Sequence, residues 1–208
     1  METINIQTDW ANKYRPKTFD ELILPKRLEA RLRAVSDAGQ GMSLMLYGQP
    51  GCGKTTTGML LNPENLYMIN CTVENSIHTI RRLGQTCSSL TLNGTKRLVL
   101  LDEADYLSDD AQAALRGLVE SHAMANDFVM TVNKPNRLSE AIRSRFLPIH
   151  FDFIKSNEMI GCFTNRLKEI AVNEGHDNLD ISVISGIVKT SFPDFRNMIK
   201  RLQFELLA

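Results

Sequence analysis

The sequence predicts an α/β fold: a parallel sheet covered on both faces by helices over residues 1–153, followed by a small all-helical domain over 154–208. Three observations predict it. Short aliphatic runs recur without clean polar alternation, the pattern of strands buried on both faces. Helical spacing fills the intervals between them. From Ser156 onward the strand pattern stops and only helical spacing continues.

The elements follow in order. After a polar arm, "PKRLEARLRAVSDAGQG", 25–41, reads as a basic amphipathic helix with Leu28, Leu32 and Val35 at helical spacing and Gly39 and Gly41 marking its end. "MSLMLY", Met42 to Tyr47, is a short buried strand feeding a glycine-rich turn. "TTTGMLL" continues as a helix that Asn62-Pro63 cuts short. Further strands are expected at 66–70, 97–101, 127–132 and 148–153, with helices at Ser76 to Cys87 and Asp109 to Ser121. Three helices near 156–174, 180–190 and 194–207 complete the chain, separated by "NEGHDN" and by Pro193.

Bulk properties narrow the class. At 208 residues and 43% hydrophobic, the chain is long enough for a large domain with a real core and a smaller second one. Twenty-four Lys and Arg balance twenty-four Asp and Glu, so contact with nucleic acid must come from a local patch rather than a global basic field. The four cysteines, Cys52, Cys71, Cys87 and Cys162, show no metal or disulfide spacing and read as reduced thiols. The start "METINIQTDW" has no leader pattern and no run is long enough to span a bilayer, so the expectation is a cytoplasmic protein without membrane contact.

Two motifs carry chemistry. "GQPGCGKT" fits G-x-x-x-x-G-K-[ST] in full, between a predicted strand and a predicted helix. Gly48, Gly51 and Gly53 permit backbone angles that turn successive N–H groups inward, and the helix that follows aims its positive end at the same point. Gly48, Gln49, Pro50, Gly51, Cys52 and Gly53, with Lys54, Thr55 and Thr56, form the expected ATP phosphate cradle. Lys54 reaches the β and γ phosphates, and the Thr55 hydroxyl ligates Mg²⁺.

The second motif, "LVLLDEADYL", drives an aliphatic strand into acids that repel one another by about 4 kcal/mol per pair at roughly 4 Å and an effective dielectric near 20. A cation relieves this, because the carboxyl ends of parallel strands share one edge and Asp102 can face Thr55 across a bound Mg²⁺. Glu103, one position on, is placed to orient or deprotonate a water attacking the γ-phosphate. Asp105 fits either this cluster or a cap on the next helix.

With these motifs in view, the chain resembles the AAA+ family, and within it the clamp-loader ATPase subunits, such as the small subunits of replication factor C and the phage clamp-loader ATPase. "LLDEADYLSDDAQAALRGLVE" resembles the family's DEAD box and following helix, "WANKYRP" its N-terminal signature, "EAIRSRF" its S-R-C region and "SFPDFRNMIKRL" the second-sensor helix, so the similarity covers nearly the whole chain. The resemblance implies that Tyr14, Arg15 and Pro16 lie along the adenine, that Asn133 is the first sensor and that Arg145 is an arginine finger acting in a neighbouring subunit. It also implies that Arg196 is the second sensor on the helical lid, that Asn70 restrains Glu103 until DNA binds, and that Arg116 couples subunits. Ser76, Thr79 and Arg81 are its DNA-backbone candidates. From the residues alone, Asn133 also suits a turn before Lys-Pro, Arg196 a solvated helix position, and Trp10 with Tyr14 a staple for the arm.

The implied partners are ATP and Mg²⁺, further copies or related AAA+ subunits, primer-template or single-stranded DNA, and a sliding clamp or a helicase ring. Phe146 stands in place of the family's cysteine, Asn75 in place of a basic residue, and no counterpart of the family's third helical domain occurs up to Ala208. Two other readings compete with clamp loading: a helicase loader or DNA-bound regulator that assembles without that third domain, and a scaffold that binds ATP without hydrolysing it. A phage origin would place the chain in the host cytoplasm.

Overall fold

Leu98, Val99, Leu100 and Leu101 are each 3% exposed or less, so the strand that carries them is covered on both faces. Burial at this level stabilises by about 1.5–3 kcal/mol per large aliphatic side chain. The computed structural model describes residues 9–38, 43–89 and 95–207. The sheet-bearing part runs α2 (Lys26–Ala38), β1 (Leu44–Gly48), α3 (Lys54–Leu60), β2 (Leu66–Asn70), α4 (Ile77–Ser88), β3 (Arg97–Asp102), α5 (Asp109–His122), β4 (Asn126–Val132), α6 (Glu140–Arg143) and β5 (Leu147–Phe151), preceded by α1 (Trp10–Lys13) in the arm. The helices α7 (Asn157–Asn173), α8 (Ile181–Ser191) and α9 (Phe195–Leu207) follow.

The sheet order is β2-β3-β4-β1-β5, with every neighbouring pair parallel. β4 therefore lies between β1 and β3, and all three end at the same edge. The outer strands read differently from the inner ones: β5 contains Pro148, which has no N–H to donate and is tolerated at a sheet edge. The core on one side gathers Leu83, Leu115, Phe128 and Met130 from α4, α5 and β4.

The expected strands and long helices are present, with ends shifted by one or two residues. Gly39, Gly41 and Met42, expected at the end of α2 and the start of β1, lie outside the described residues. The short helices α1 and α6 were not legible because four residues are too few to show a period. α1 is set by its cap, the Asp9 carboxylate accepting the Ala11 N–H at 3.0 Å.

Contacts gather the chain into two units. One comprises Lys26–Gln49 and Lys54–Asp152; the other comprises the arm up to Pro25, the loop Pro50–Gly53 and the chain from Phe153 onward. Within the second, Phe163 packs against Phe153, Phe192 and Phe195 with ring centroids 6.2, 5.6 and 5.4 Å away. The arm belongs to this unit because Trp10 is 6% exposed and donates its backbone N–H to Gln203 on α9, while Lys13 and the Tyr14 hydroxyl both reach Glu174 Oε1 at 2.6 Å. The α9 start meets the loop in the same unit: the Phe195 N–H donates to the Gly51 carbonyl at 3.2 Å. Gly51 has φ +72, and a Cβ there would fall 1.8 Å from Asp194 Oδ1, so only glycine fits.

Burial pushes the Glu174 carboxyl up, but the hydrogen bonds from Lys13 and Tyr14 outweigh it and hold the group below its ordinary value. The stabilisation is present above the unfolded carboxyl value of 4.5 and is lost as pH falls through the lower native one. Trp10 is the single tryptophan and reports the arm directly. At pH 7 the emission of Glu174→Gln should shift to the red relative to wild type, and the difference should close as pH falls below the carboxylate range. Identical spectra at pH 7 would contradict this anchoring.

Candidate active site

β1 ends at Gly48, whose φ of +150 and approach to β5 exclude a side chain: a Cβ would sit 2.8 Å from the Phe151 carbonyl oxygen. The loop then turns into α3, which opens on Lys54. Lys54 is 7% exposed, and its ammonium donates to the carbonyls of Gly48 at 2.9 Å and Gln49 at 2.7 Å. A buried ammonium tied to the loop's own backbone is a fixed positive charge at the start of α3. Cys52 is buried, Gln49 and Pro50 are exposed, and Thr55 and Thr56 are half-buried on the first turn of α3.

Asp102 is the last residue of β3, and its Oδ1 accepts hydroxyl hydrogens from Thr55 and Thr131, each at 2.6 Å. Glu103 follows with φ 55, the one non-glycine residue with positive φ among the described residues. Its backbone N–H donates to Thr131 Oγ1 at 2.8 Å. Asp105 is 4% exposed and accepts the N–H groups of Asn133 and Lys134, one on each carboxylate oxygen, both at 3.2 Å. The helix-cap alternative for Asp105 is thereby corrected: Ser108 caps α5 through the Ala111 N–H at 3.2 Å, and Asp105 instead holds the turn that carries Asn133. Two of the three acids thus find hydrogen-bond donors within the fold, and the left-handed turn at Glu103 changes the chain direction between them.

The donor set fits Mg²⁺. Thr55 Oγ1 and Asp102 Oδ1 are hard oxygens 2.6 Å apart, and Mg²⁺ is typically held by one or two protein oxygens plus substrate phosphates rather than by a full protein cage. No cluster of three or more His, Cys, Asp or Glu able to hold a metal occurs among the described residues. Burial, reinforced by the nearby carboxylates of Asp102, Asp105, Glu74 and Glu103, pushes the Cys71 thiol up to about 12, which leaves it un-ionised and inert.

The profile of the ATPase family associated with various cellular activities (AAA) matches residues 44–152, more than half of the chain and all of the site just described. The chain belongs to the AAA family. It is 35% identical over 204 residues to replication factor C small subunit 1 of Pyrobaculum aerophilum and 33% identical over 204 residues to the replication factor C small subunit of Staphylothermus marinus. Each alignment covers 93% of this chain and 60% of the relative, so the chain spans about three fifths of the length of these proteins. Among solved structures, the Thermotoga maritima RuvB Holliday junction branch migration motor superposes with a TM-score of 0.76 at 20% identity, over 91% of this chain and 64% of that one. At that identity the likeness speaks to the fold.

Of the other expected site residues of this AAA chain, Asn70 is the parallel-strand register partner of Asp102. Arg145 follows α6, with its guanidinium bonded to Glu120 on α5 and to the Ala141 carbonyl. Arg143 is exposed. Arg196 is exposed on the first turn of α9, and Tyr14, Arg15 and Pro16 are half-buried in the arm. Asn70 Oδ1 accepts from the Thr72 N–H and hydroxyl at 3.0 and 2.6 Å, a local turn at the end of β2. Arg116 is exposed on α5. Thr79 is corrected as a DNA-backbone candidate: at 7% exposure it faces the core, and the exposed basic side chains of α4 are Arg81 and Arg82, the latter paired with Glu74.

Two residues escaped the sequence reading. Thr131 meets Asp102 through its carboxylate and Glu103 through its N–H, and its only sequence signal is its place two residues before Asn133, at the end of β4. Gln112, 3% exposed, donates to the carbonyls of Leu107 and Arg137 at 3.2 Å and accepts the Ser139 N–H at 2.8 Å, tying α5 to the turns on either side. An apolar pattern does not forecast a buried amide.

If Lys54 holds the phosphates as its loop position predicts, Lys54→Ala should lower affinity for a fluorescent ATP analogue by about 100-fold or more, since each charge-assisted hydrogen bond to a phosphate is worth roughly 1.5–3 kcal/mol. Equilibrium titration checks this, and unchanged affinity would contradict a phosphate role for Lys54.

Proposed function

We propose that this chain is the ATPase portion of a clamp-loader-type subunit, which hydrolyses Mg-ATP at a site shared with an adjacent copy or related subunit and couples the cycle to placing a ring-shaped replication factor on DNA. The observation that carries the reading is the meeting of Thr55, Asp102 and Thr131 with Glu103 beside them, at the end of strands that also lead to the phosphate loop. Support for the clamp-loader assignment comes from replication factor C small subunits as relatives over 93% of the chain.

In this reading the loop N–H groups and Lys54 hold the triphosphate, and Thr55 with Asp102 hold Mg²⁺. Bound there, Mg²⁺ neutralises charge on the β and γ phosphates. Glu103 takes a proton from the attacking water, and Asn133, fixed through its own N–H on Asp105, orients that water or the γ-phosphate. Arg145 enters the neighbour's site and balances charge that develops in the transition state. Arg196 answers the γ-phosphate from α9, and Tyr14, Arg15 and Pro16 flank the base.

The test is phosphate release from Mg-ATP by the purified protein, alone and with primer-template DNA and a sliding clamp. Turnover that rises when both are added is expected. Turnover indifferent to both would leave an ATPase and remove clamp loading.

A further inference from the structure

The sheet order places β4 between the strand that feeds the phosphate loop and the strand that ends on the acids. Its residue nearest the shared edge with a polar side chain facing the acids is Thr131, 1% exposed. A threonine hydroxyl has one hydrogen to donate and lone pairs to accept with. Here the hydrogen goes to Asp102 Oδ1 at 2.6 Å, and a lone pair takes the Glu103 N–H at 2.8 Å. Asp102 Oδ1 is also the oxygen that Thr55 reaches. Three of the site's residues are therefore referred to one buried hydroxyl or to its immediate acceptor.

Glu103 needs such a support. Its φ of 55 is unfavourable for a residue with a side chain, and a backbone in that region persists only where its surroundings over-determine it. The Thr131 hydroxyl on the N–H side and the Tyr106 N–H donating to the Glu103 carbonyl at 3.0 Å clamp the peptide from both ends.

We propose that Thr131 is a positioning residue which sets both acids at once, aiming the Asp102 carboxylate at the Thr55 hydroxyl and holding Glu103 in the left-handed turn that presents its side chain. This rests on the ATPase reading above. A hydrogen-bonded partner behind a metal-holding carboxylate typically changes metal affinity or activity by about 10–100-fold when removed. The role is distinct from simple core packing, since valine has the same shape and lacks both hydrogen-bonding functions.

The experiment compares wild type, Thr131→Val and Thr131→Ser in two measurements. The first is the affinity of a fluorescent ATP analogue with Mg²⁺ titrated from zero; the second is the steady-state rate of phosphate release. Thr131→Val should bind the analogue as wild type does without Mg²⁺, need about 10-fold more Mg²⁺ for half-effect, and lose about 10–100-fold in kcat with KM for ATP little changed. Thr131→Ser, which keeps the hydroxyl, should restore both. An unaltered Mg²⁺ dependence and kcat in Thr131→Val would overturn the proposal, as would equal damage in Thr131→Ser or a matching loss of Mg²⁺-free binding. Wild-type protein that releases no phosphate would defeat the ATPase reading, and the Mg²⁺ titration would then decide the Thr131 assignment by itself.

Discussion

Arg145→Ala should bind ATP as tightly as wild type and release phosphate about 10³–10⁵-fold more slowly, the range over which an arginine supplied to a phosphoryl-transfer site acts. The expectation rests on the proposed role of Arg145 as an arginine finger. Its guanidinium bonds Glu120 and the Ala141 carbonyl, and the side chain is 27% exposed, so acting in a neighbour requires it to exchange these partners. Ion pairs with an exposed partner contribute little, and Glu120 is 56% exposed. Analogue titration and phosphate release on the same preparation separate binding from turnover. Weakened binding with normal turnover would show that Arg145 is not the finger, and Arg143→Ala tested beside it would identify the other candidate.

Glu103→Gln should retain ATP binding and lose about 10²–10⁴ in kcat, the usual contribution of a general base. The amide keeps the size of the side chain and the φ 55 backbone with its N–H bond to Thr131, so the loss isolates the proton acceptor. Phosphate release equal to wild type would leave a nucleotide-binding scaffold as the standing description. A variant that also lost ATP binding would point to a structural role for the carboxylate.

Residues that declare themselves by pattern were legible in the sequence. The aliphatic run Leu98–Leu101 reads as a strand covered on both faces, and Gly48 to Thr55 as the turn from a strand into a helix, and the structure has both. The pairing of Thr55 with Asp102 followed from parallel strands ending at one edge. What stayed hidden depends on partners distant in sequence. Asp105 looks the same on the page whether it caps a helix or accepts the N–H of Asn133, 28 residues on. Thr131 is a polar residue in the apolar second half of β4, and its meaning appears only once β4 is known to lie between β1 and β3. The arm shows the same limit: Tyr14 reads as an aromatic for a base or a staple, and its bond to Glu174 depends on contacts 160 residues apart.

Mixing the two variants tests the shared site most directly. Arg145→Ala retains an intact Glu103 and lacks the finger; Glu103→Gln retains the finger and lacks the base. Combined at equal concentration with Mg-ATP, they should regain phosphate release that neither shows alone, because some sites then hold a working Glu103 opposite a working Arg145. No recovery at any mixing ratio, from variants that each bind ATP and associate normally, would contradict a site completed by an adjacent copy.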